Sequence, residues 1–390
     1  MTLVPSAAPA EQVLEPLDGP EHDAVNRARE LVARIDDETA ADLAARTEFP
    51  GDLWDWAAEH ALHRVGIAEE HGGEPADIVA KMRIAEVLAE RVGVLAWVWG
   101  ISNCFAAPLL ATLADEPTRK ELLPGLAAGR RRFAFGVTEP GGGSDLFGAL
   151  DTTLADGRVS GRKRYCTAAA SADHLFLLVR EAGAPAGGTS GLAFALVRTD
   201  APGLSMTRVP TPSFASSFGT YEVDLDGVAV DHTFTGPAVK AALRTVLVEE
   251  RLLIPAIVIG AAHGALRRGL AYAARRTAFG TRVDSYQALQ HQVADAVMDL
   301  ETARHYAYAM ARRWAAGAPV TVGADVAKSR SVDAAQRVAD VAMQLMGGIG
   351  FTRWGGVEHV WRDLRAFQLA PITEELVRNR VARALGMGRD

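Results

Sequence analysis

The spacing of apolar residues changes twice along this chain of 390 residues, and each change restricts the possible fold. From about residue 21 to 132, apolar residues recur every three or four positions, which predicts α-helices. From about 133 to 237, short runs rich in Val, Phe, Leu and Thr alternate with Gly and Pro turns, which predicts strands. From about 238 to 390 the helical spacing returns. We therefore predict a mostly α-helical protein with an N-terminal helical domain, a small antiparallel β domain in the middle and a C-terminal four-helix bundle.

The last third of the chain has the long helical segments that a bundle needs. They span about 239–276, 286–316 and 320–346, and a final helix follows Thr373. Their length and apolar faces are typical of antiparallel helix packing. Near the N-terminus, a Phe-Pro-Gly-Asp break predicts a new helix with Asp52 as its N-cap.

Composition excludes several classes of protein. Hydrophobic residues make up 49% and charged residues 23%, and the net charge of −7 does not suggest nucleic acid or an anionic membrane as a partner. The apolar run Leu252 to Leu266 is too short for a membrane span and predicts a buried helix. Cys104 and Cys166 are too few for a disulfide framework, so we expect free thiols and a cytoplasmic location. Residues 1–20 predict a flexible N-terminus without a secretory signal, and no metal-ligand spacing occurs.

The glycine-rich stretch Val137–Asp145, which reads VTEPGGGSD, is the strongest local feature. Glycine has no Cβ, so its backbone N–H groups can approach an anionic ligand closely. Thr138 and Ser144 add hydroxyl donors on either side. The stretch lacks the Gly-Lys-Ser/Thr of a phosphate-binding loop and the following helix of a dinucleotide fingerprint. An ordinary turn after a strand is the alternative.

This stretch resembles the Thr-Glu-Pro-Gly-x-Gly-Ser-Asp signature of the acyl-CoA dehydrogenase family, flavoenzymes that oxidise the α,β bond of acyl thioesters. Three further segments resemble family motifs in the same order. Gly161–Thr167 is similar to Gly-x-Lys-x-Trp-Ile-Thr, with Tyr165 in place of tryptophan. Arg276–Gly280, followed by Gln287, is similar to Arg-x-x-Phe-Gly…Gln. Gln344–Phe351 matches Gln-x-x-Gly-Gly-x-Gly-Phe. The resemblance implies the family fold, an FAD cofactor and a homotetramer or homodimer.

The resemblance also implies which residues bind FAD. They are Phe135, Val137, Thr138, Ser144, Tyr165, Thr167, Arg276, Phe279, Gln287, Gln344, Gly347, Gly348, Thr373 and Glu375. A guanidinium fork suits a diphosphate, and a tyrosine ring offers a stacking face. Two structural alternatives remain open. Tyr165 can be an ordinary core aromatic on a strand, and Arg275 and Arg276 can complement a helix C-terminus that Gly280 ends.

The catalytic base is where the sequence departs from the commonest family pattern. Oxidation of a thioester needs a carboxylate to take the α-proton while flavin N5 takes the β-hydride. Many members carry this glutamate in a C-terminal Glu-Gly-Thr, but here Pro371 and Ile372 precede Thr373. Relatives acting on isovaleryl and long-chain thioesters use a glutamate twenty-six residues before the Arg of Arg-x-x-Phe-Gly. Glu250 stands at that position.

The Glu250 match extends to the next residue. Arg251 corresponds to an arginine that contacts the CoA end of the substrate, and Ser144 is the second residue that the resemblance assigns to substrate binding. The alternative is that Glu250 is a solvated charge near a helix N-terminus. Pro371 has a further consequence. In the family a backbone N–H at this position hydrogen-bonds the thioester oxygen, and proline has no N–H. Losing such a donor costs roughly 3–4 kcal/mol of transition-state stabilisation.

Three functions are compatible with the sequence. The first is FAD-dependent dehydrogenation of an acyl thioester on CoA or an acyl carrier protein, with an electron-transfer flavoprotein as electron acceptor. The second is a flavin-dependent monooxygenase on the same fold, because such relatives also lack the C-terminal glutamate. The third is a flavin-free binding protein. The unusual stretch Ser213–Phe218, where relatives carry Gly-x-Arg-x-Ser, favours a specialised substrate.

Overall fold

The computed structural model describes residues 21–46, 48–211 and 219–388. The predicted flexible N-terminus and the stretch Ser213–Phe218 lie outside these residues. The chain forms two compact units. The helical unit contains the described residues of Met1–Ala45, Asp77–Trp97 and Arg251–Asp390, and the sheet unit contains those of Arg46–Ala76 and Val98–Glu250.

In the helical unit, the helix Thr321–Met346 packs against three other helices of the C-terminal region, Gln287–Ala315, Glu358–Phe367 and Glu374–Ala384. The predicted long helices are confirmed, with the first ending three residues earlier than expected. The helices of this unit are α1 Asp23–Ala33, α2 Asp37–Ala45, the first part of α4 Ile78–Gly100, most of α7 Pro237–Ala273, α8 Gln287–Ala315, α9 Thr321–Met346, α10 Glu358–Phe367 and α11 Glu374–Ala384.

Two glycines on α7 allow its backbone to touch that of α4 within this unit. A Cβ on Gly260 would lie 2.1 Å from the carbonyl oxygen of Glu86, and one on Gly264 would lie 2.0 Å from that of Glu90. Any side chain at either position would therefore push the helices apart. The apolar run Leu252 to Leu266 is buried inside this helix, as predicted, and α7 continues through Pro255 without interruption.

The sheet unit contains one sheet and several short helices. Its strands run in the order β6-β7-β3-β2-β4-β5-β8, and β1 pairs with β4. Antiparallel pairing dominates, as predicted, but β1 and β2 pair with β4 in parallel. The elements are α3 Gly51–Glu59, α5 Ala107–Leu113, α6 Glu116–Ala127, β1 Phe133–Gly136, β2 Thr153–Ala155, β3 Arg158–Thr167, β4 His174–Glu181, β5 Leu192–Arg198, β6 Leu204–Arg208, β7 Thr220–Ala229 and β8 His232–Phe234.

Aromatic side chains of β1, β4 and β8 stack on one another and form an aromatic row. The Phe176 ring stacks on Phe135 with centroids 5.3 Å apart and on Phe234 at 6.0 Å. Strand β4 is buried along almost its whole length, which explains its continuous apolar sequence. Phe135 of this row lies on β1, which leads directly into the glycine-rich stretch.

Two details of the N-terminal helices differ from expectation. Helix α3 begins at Gly51 with Pro50 as its N-cap, so the prediction that Asp52 is the N-cap is wrong. Asp52 already lies in the first turn, where its carboxylate pairs with Arg46 at 3.0 Å. One described stretch, Ile78–Leu113, is long and apolar enough to span a membrane. Within it, 78% of an apolar 18-residue segment is buried inside the protein. A buried core helix meets the same criteria, so this stretch alone is weak support for a span.

Candidate functional site

The glycine-rich loop follows β1 as a tight, exposed turn. The N–H of Gly142 donates to the carbonyl of Glu139 at 3.1 Å, and the Asp145 carboxylate accepts from Gly148 at 3.1 Å. A Cβ on Gly141 or Gly143 would meet no atom within 4 Å, so both face open space. The loop therefore leaves backbone accessible to a ligand, as its sequence predicts.

A buried ion pair holds this loop. Lys163 on β3 donates to the Glu139 carboxylate at 2.6 Å and also to the carbonyl of Leu178. The same carboxylate accepts the N–H groups of Asp151 at 2.6 Å and Thr152 at 3.0 Å. Burial opposes ionisation of Glu139, but Lys163 and these hydrogen bonds hold its pKa below the ordinary value. Neither charged residue is among the predicted site residues, although each lies inside one of the sequence motifs.

The same pair brings two of the motifs together. The N–H of Arg164 donates to the carbonyl of Thr138 at 2.9 Å, so Thr138 lies beside the segment that carries Tyr165. Tyr165 has φ +63° and a side chain that is 59% exposed, so the alternative of a core aromatic is wrong. The register of β3 against β7 shifts between Lys163 and Cys166, which turns the tyrosine ring outward.

The other predicted residues of the sheet unit occupy different environments. Phe135 is half-buried in the aromatic row, with the Phe105 ring at 6.0 Å on its other side. Val137 and Thr167 are half-buried, and Ser144 is exposed. Cys104 and Cys166, both within the described residues, form no disulfide, as predicted. Burial raises the pKa of Cys166 to about 12, so this thiol is not a nucleophile at neutral pH.

In the helical unit, a short hairpin carries the predicted diphosphate ligands. Strands β9 Thr277–Ala278 and β10 Thr281–Arg282 pair in antiparallel fashion, and Phe279 and Gly280 form the two-residue turn. Their φ angles of +50° and +78° are those of a type I′ turn. The prediction that Gly280 ends the preceding helix is therefore wrong, because α7 already ends at Ala273.

The hairpin exposes both of its predicted FAD-binding residues. Phe279 is fully exposed at the tip, and Arg276 is exposed at the base. The expectation that Arg275 complements the helix C-terminus is confirmed, because its Nε donates to the carbonyl of Ala271 at 3.1 Å. Gln287 is exposed as the first residue of α8. Gln344, Gly347 and Gly348 are also exposed, at and just after the end of α9.

The candidate base lies well inside α7. Glu250 is half-buried and far from the start of the helix at Pro237, so the alternative of a solvated N-terminal charge is wrong. Arg251 is buried, and its Nε lies 3.0 Å from the fully buried carboxylate of Asp325 on α9. Arg380 approaches the same carboxylate at 3.1 Å. Burial raises the pKa of Asp325 despite the two arginines.

The segment between α10 and α11 contains Pro371, where the sequence departs from the family pattern. Pro371 is exposed, and Thr373 is the N-cap of α11, with Oγ1 accepting from Leu376 at 3.3 Å. Glu375 is exposed. Glu374 is buried, accepting a hydrogen bond from Lys328 at 2.9 Å and another from the Ser329 hydroxyl. Burial opposes ionisation, but these donors hold the pKa of Glu374 below its ordinary value. Glu374 and both of its partners are absent from the predicted site residues.

Several of the predicted residues have the chemistry that FAD requires. Five described non-glycine residues have a positive φ, and Tyr165 and Phe279 are the aromatic ones among them. An exposed aromatic ring on a backbone of this kind is typical of a ligand-binding position. Arg276 offers a guanidinium for a diphosphate, and Thr138 and Gln344 offer hydrogen-bond groups. Within the described residues, no group of His, Cys, Asp or Glu side chains is arranged to hold a metal ion.

Comparison with known proteins gives the family. The N-terminal, middle and C-terminal domain models of acyl-CoA dehydrogenase match residues 20–130, 134–228 and 239–386. Acyl-CoA dehydrogenase FadE12 of Mycobacterium tuberculosis is 29% identical over 92% of this chain and 94% of its own length. The caffeyl-CoA reductase-Etf complex subunit CarC of Acetobacterium woodii is 28% identical over 89% and 92%.

The structural comparison agrees. A crystal structure of acyl-CoA dehydrogenase from Geobacillus kaustophilus superposes with a TM-score of 0.86 at 24% identity, covering 95% of this chain and 99% of that one. The match extends over helices and sheet alike, so it establishes the fold. The chain therefore belongs to the acyl-CoA dehydrogenase family and is an FAD-dependent oxidoreductase with that family's fold.

Proposed function

We propose that this protein catalyses α,β-dehydrogenation of an acyl thioester, carried on CoA or on an acyl carrier protein, with Glu250 as the base. The α-proton passes to the Glu250 carboxylate, and the bond between the α and β carbons becomes a double bond. Bound FAD would supply the acceptor for the β-hydride, at flavin N5. The substrate thus loses one proton and one hydride, which is a two-electron oxidation.

The environment of Glu374 is the main reason for assigning the catalytic base to Glu250. In the C-terminal segment where many relatives have their base, this chain has Pro371, and the buried carboxylate nearby is already held by Lys328 and Ser329. A carboxylate with a lowered pKa and two donors is a poor proton acceptor. Glu250 is half-buried on a long, regular helix, which suits a base that must meet a substrate without full solvation.

The predicted FAD-binding residues keep that role in the proposal. In the sheet unit they are Phe135, Val137, Thr138, Ser144, Tyr165 and Thr167. In the helical unit they are Arg276, Phe279, Gln287, Gln344, Gly347, Gly348, Thr373 and Glu375. We assign substrate binding to Ser144 and Arg251. Because Arg251 faces Asp325 through Nε, contact with a CoA group would use its terminal nitrogens.

We further propose a cytoplasmic homotetramer or homodimer that passes electrons to an electron-transfer flavoprotein. Large apolar side chains at the protein surface support self-association. Phe279 is 100% exposed, Phe351 71% and Trp354 80%. The relative CarC belongs by name to a complex with Etf, which supports the choice of electron acceptor.

The first test is an anaerobic visible spectrum of the purified, FAD-loaded protein during titration with straight and branched acyl-CoAs. Bleaching of the flavin band by one of them is the expected result. If none bleaches it, the same panel on acyl carrier protein follows. Flavin that stays oxidised with both carriers overturns the proposal. Oxygen consumption that depends on NADH and a reductase would instead favour the monooxygenase.

The second test isolates the base. Glu250→Gln should retain the flavin spectrum and slow substrate-driven reduction at least about 100-fold, because general-base catalysis contributes about 10²- to 10⁴-fold. Glu249→Gln is the matched control on the same helix and should change the rate only a few-fold. A Glu250→Gln variant that is reduced at the parental rate removes Glu250 as the base.

A further inference from the structure

The face of α9 that carries Lys328 holds the segment around Pro371. Asp325, Lys328 and Ser329 are three and four residues apart and therefore lie on one side of the helix. Lys328 is fully buried. Its ammonium group donates to the carbonyl of Ile372 at 2.9 Å and to Glu374 at 2.9 Å. A buried lysine is thus anchored to the main chain next to the proline that departs from the family pattern.

The hydrogen bond to Ile372 fixes one peptide plane. In a trans peptide the C=O of one residue and the N–H of the next point in opposite directions. Because the Ile372 carbonyl points at the buried Lys328, the N–H of Thr373 points away from it. Within residues 21–46, 48–211 and 219–388, the N–H groups of Ile372 and Thr373 have no acceptor. The segment therefore keeps backbone donors after Pro371, and Lys328 sets the direction of the Thr373 donor.

The buried cluster of Lys328, Ser329 and Glu374 fixes the orientation of the Ile372–Thr373 peptide. Glu374 accepts from Lys328 with one oxygen and from the Ser329 hydroxyl with the other, and only 7% of the residue is exposed. Arg378 lies 3.7 Å from the second oxygen at the solvent side. Buried ion pairs often add little net stability compared with apolar residues of similar size. The fixed geometry of such a pair therefore explains better than its stability why Lys328, paired with Glu374, also contacts the Ile372 carbonyl.

We propose that Lys328 and Glu374 are positioning residues of the substrate site, and that through them the Thr373 N–H donates to the thioester oxygen in place of the N–H that Pro371 lacks. The inference rests on the proposed function and adds how its oxyanion interaction is supplied. Lys328 itself does not touch the substrate. It acts by fixing the Ile372–Thr373 peptide.

The test compares two ligands that differ only at the oxygen in question. One is the 2-enoyl thioester of the acyl-CoA that bleaches the flavin best, and the other is the thioether in which CH₂ replaces the carbonyl. Their dissociation constants are measured by titration calorimetry on the FAD-loaded protein. The variants are Glu374→Gln, Lys328→Met and the double variant, which leaves no unpaired buried charge. Lys120→Met is the control, because Lys120 forms an exposed ion pair with Glu116 at 3.0 Å.

In the double variant the thioester should bind about tenfold more weakly, which is the size of one hydrogen bond, and the thioether should bind as before. Glu374→Gln should give a smaller loss, and Lys120→Met none. Equal losses for both ligands, or no loss for either, overturn the positioning role. If the parent protein binds no thioester and none bleaches its flavin, the proposed function fails and this inference fails with it.

Discussion

Two fully buried lysines, one in each compact unit, use the same arrangement of an ion pair and a main-chain hydrogen bond. Lys163 in the sheet unit pairs with Glu139 and donates to the carbonyl of Leu178. Lys328 in the helical unit pairs with Glu374 and donates to the carbonyl of Ile372. In each case a buried charge pair fixes a backbone segment that sequence patterns assign to ligand binding.

The difference lies in how each glutamate is held. Glu139 accepts two main-chain N–H groups besides Lys163, and burial lowers the pKa of that lysine. Glu374 accepts a serine hydroxyl, has Arg378 nearby and lies at the N-terminus of α11, where the helix dipole favours an anion. The first pair therefore depends on its single cation more than the second does. The first supports a loop that keeps the family pattern, and the second supports the segment that has lost it.

The largest expected effect follows from this dependence. Lys163→Met leaves Glu139 buried without a cation and should lower the free energy of unfolding by about 3–5 kcal/mol. Lys328→Met should cost clearly less, because Glu374 retains its other stabilising groups. Denaturant midpoints of the two variants and the parent measure the difference. The double variant Lys163→Met/Glu139→Gln should recover part of the loss. Equal costs for the two lysine variants would contradict the comparison.

The sequence predicts the fold well but does not predict these two buried pairs. The fold followed from local patterns, because the buried strands and the long helices repeat their apolar residues at characteristic spacings. The buried partners did not. Glu374 and Glu375 are adjacent acidic residues in the first turn of α11, and which of them is buried depends on α9, which is distant in sequence. No local pattern separates them.

The backbone conformation at Gly280 and at Tyr165 could not be predicted from local sequence either. Gly280 suits a helix end and a type I′ turn equally well, because both need a positive φ. Only the pairing of Thr277 with Arg282 decides for the turn. Tyr165 is exposed because β3 shifts register against β7 after Lys163. The alternation of side chains along a strand gives no warning of such a shift.

The second prediction concerns a buried polar group that forms no ion pair with any described residue. His63 in the sheet unit is fully buried, with its ring facing Trp54, and burial lowers its pKa to about 4. The unfolded chain binds a proton near pH 6.5, so it takes up protons at a higher pH than the folded protein does. Stability from this residue is therefore complete above pH 6.5 and falls as the pH drops towards 4, by about 3 kcal/mol in total.

Denaturant midpoints between pH 7 and 4 check this expectation. His63→Gln should flatten the acid side of the curve, whereas His291→Gln, at an exposed histidine of α8, should leave it unchanged. If the parental slope persists in His63→Gln, other groups cause the acid loss. A flattened slope would show that a buried group without a counter-ion costs stability in acid, which sharpens the contrast with the paired Glu139.

The smallest expected effect comes from an ion pair outside both clusters. Arg46 and Asp52 lie 3.0 Å apart, with 34% and 49% of their side chains exposed. Solvent screens such a pair, so Asp52→Asn should lower the free energy of unfolding by less than about 1 kcal/mol, and by less still at high salt. Denaturant midpoints at low and high salt measure both. If Asp52 were the N-cap of α3, Asp52→Asn would be nearly neutral at every salt concentration and Asp52→Ala would cost about 1 kcal/mol, because asparagine caps as well as aspartate. Salt dependence thus separates an exposed ion pair from a cap. A loss of stability this small would show that burial causes the larger losses expected for the two lysine variants.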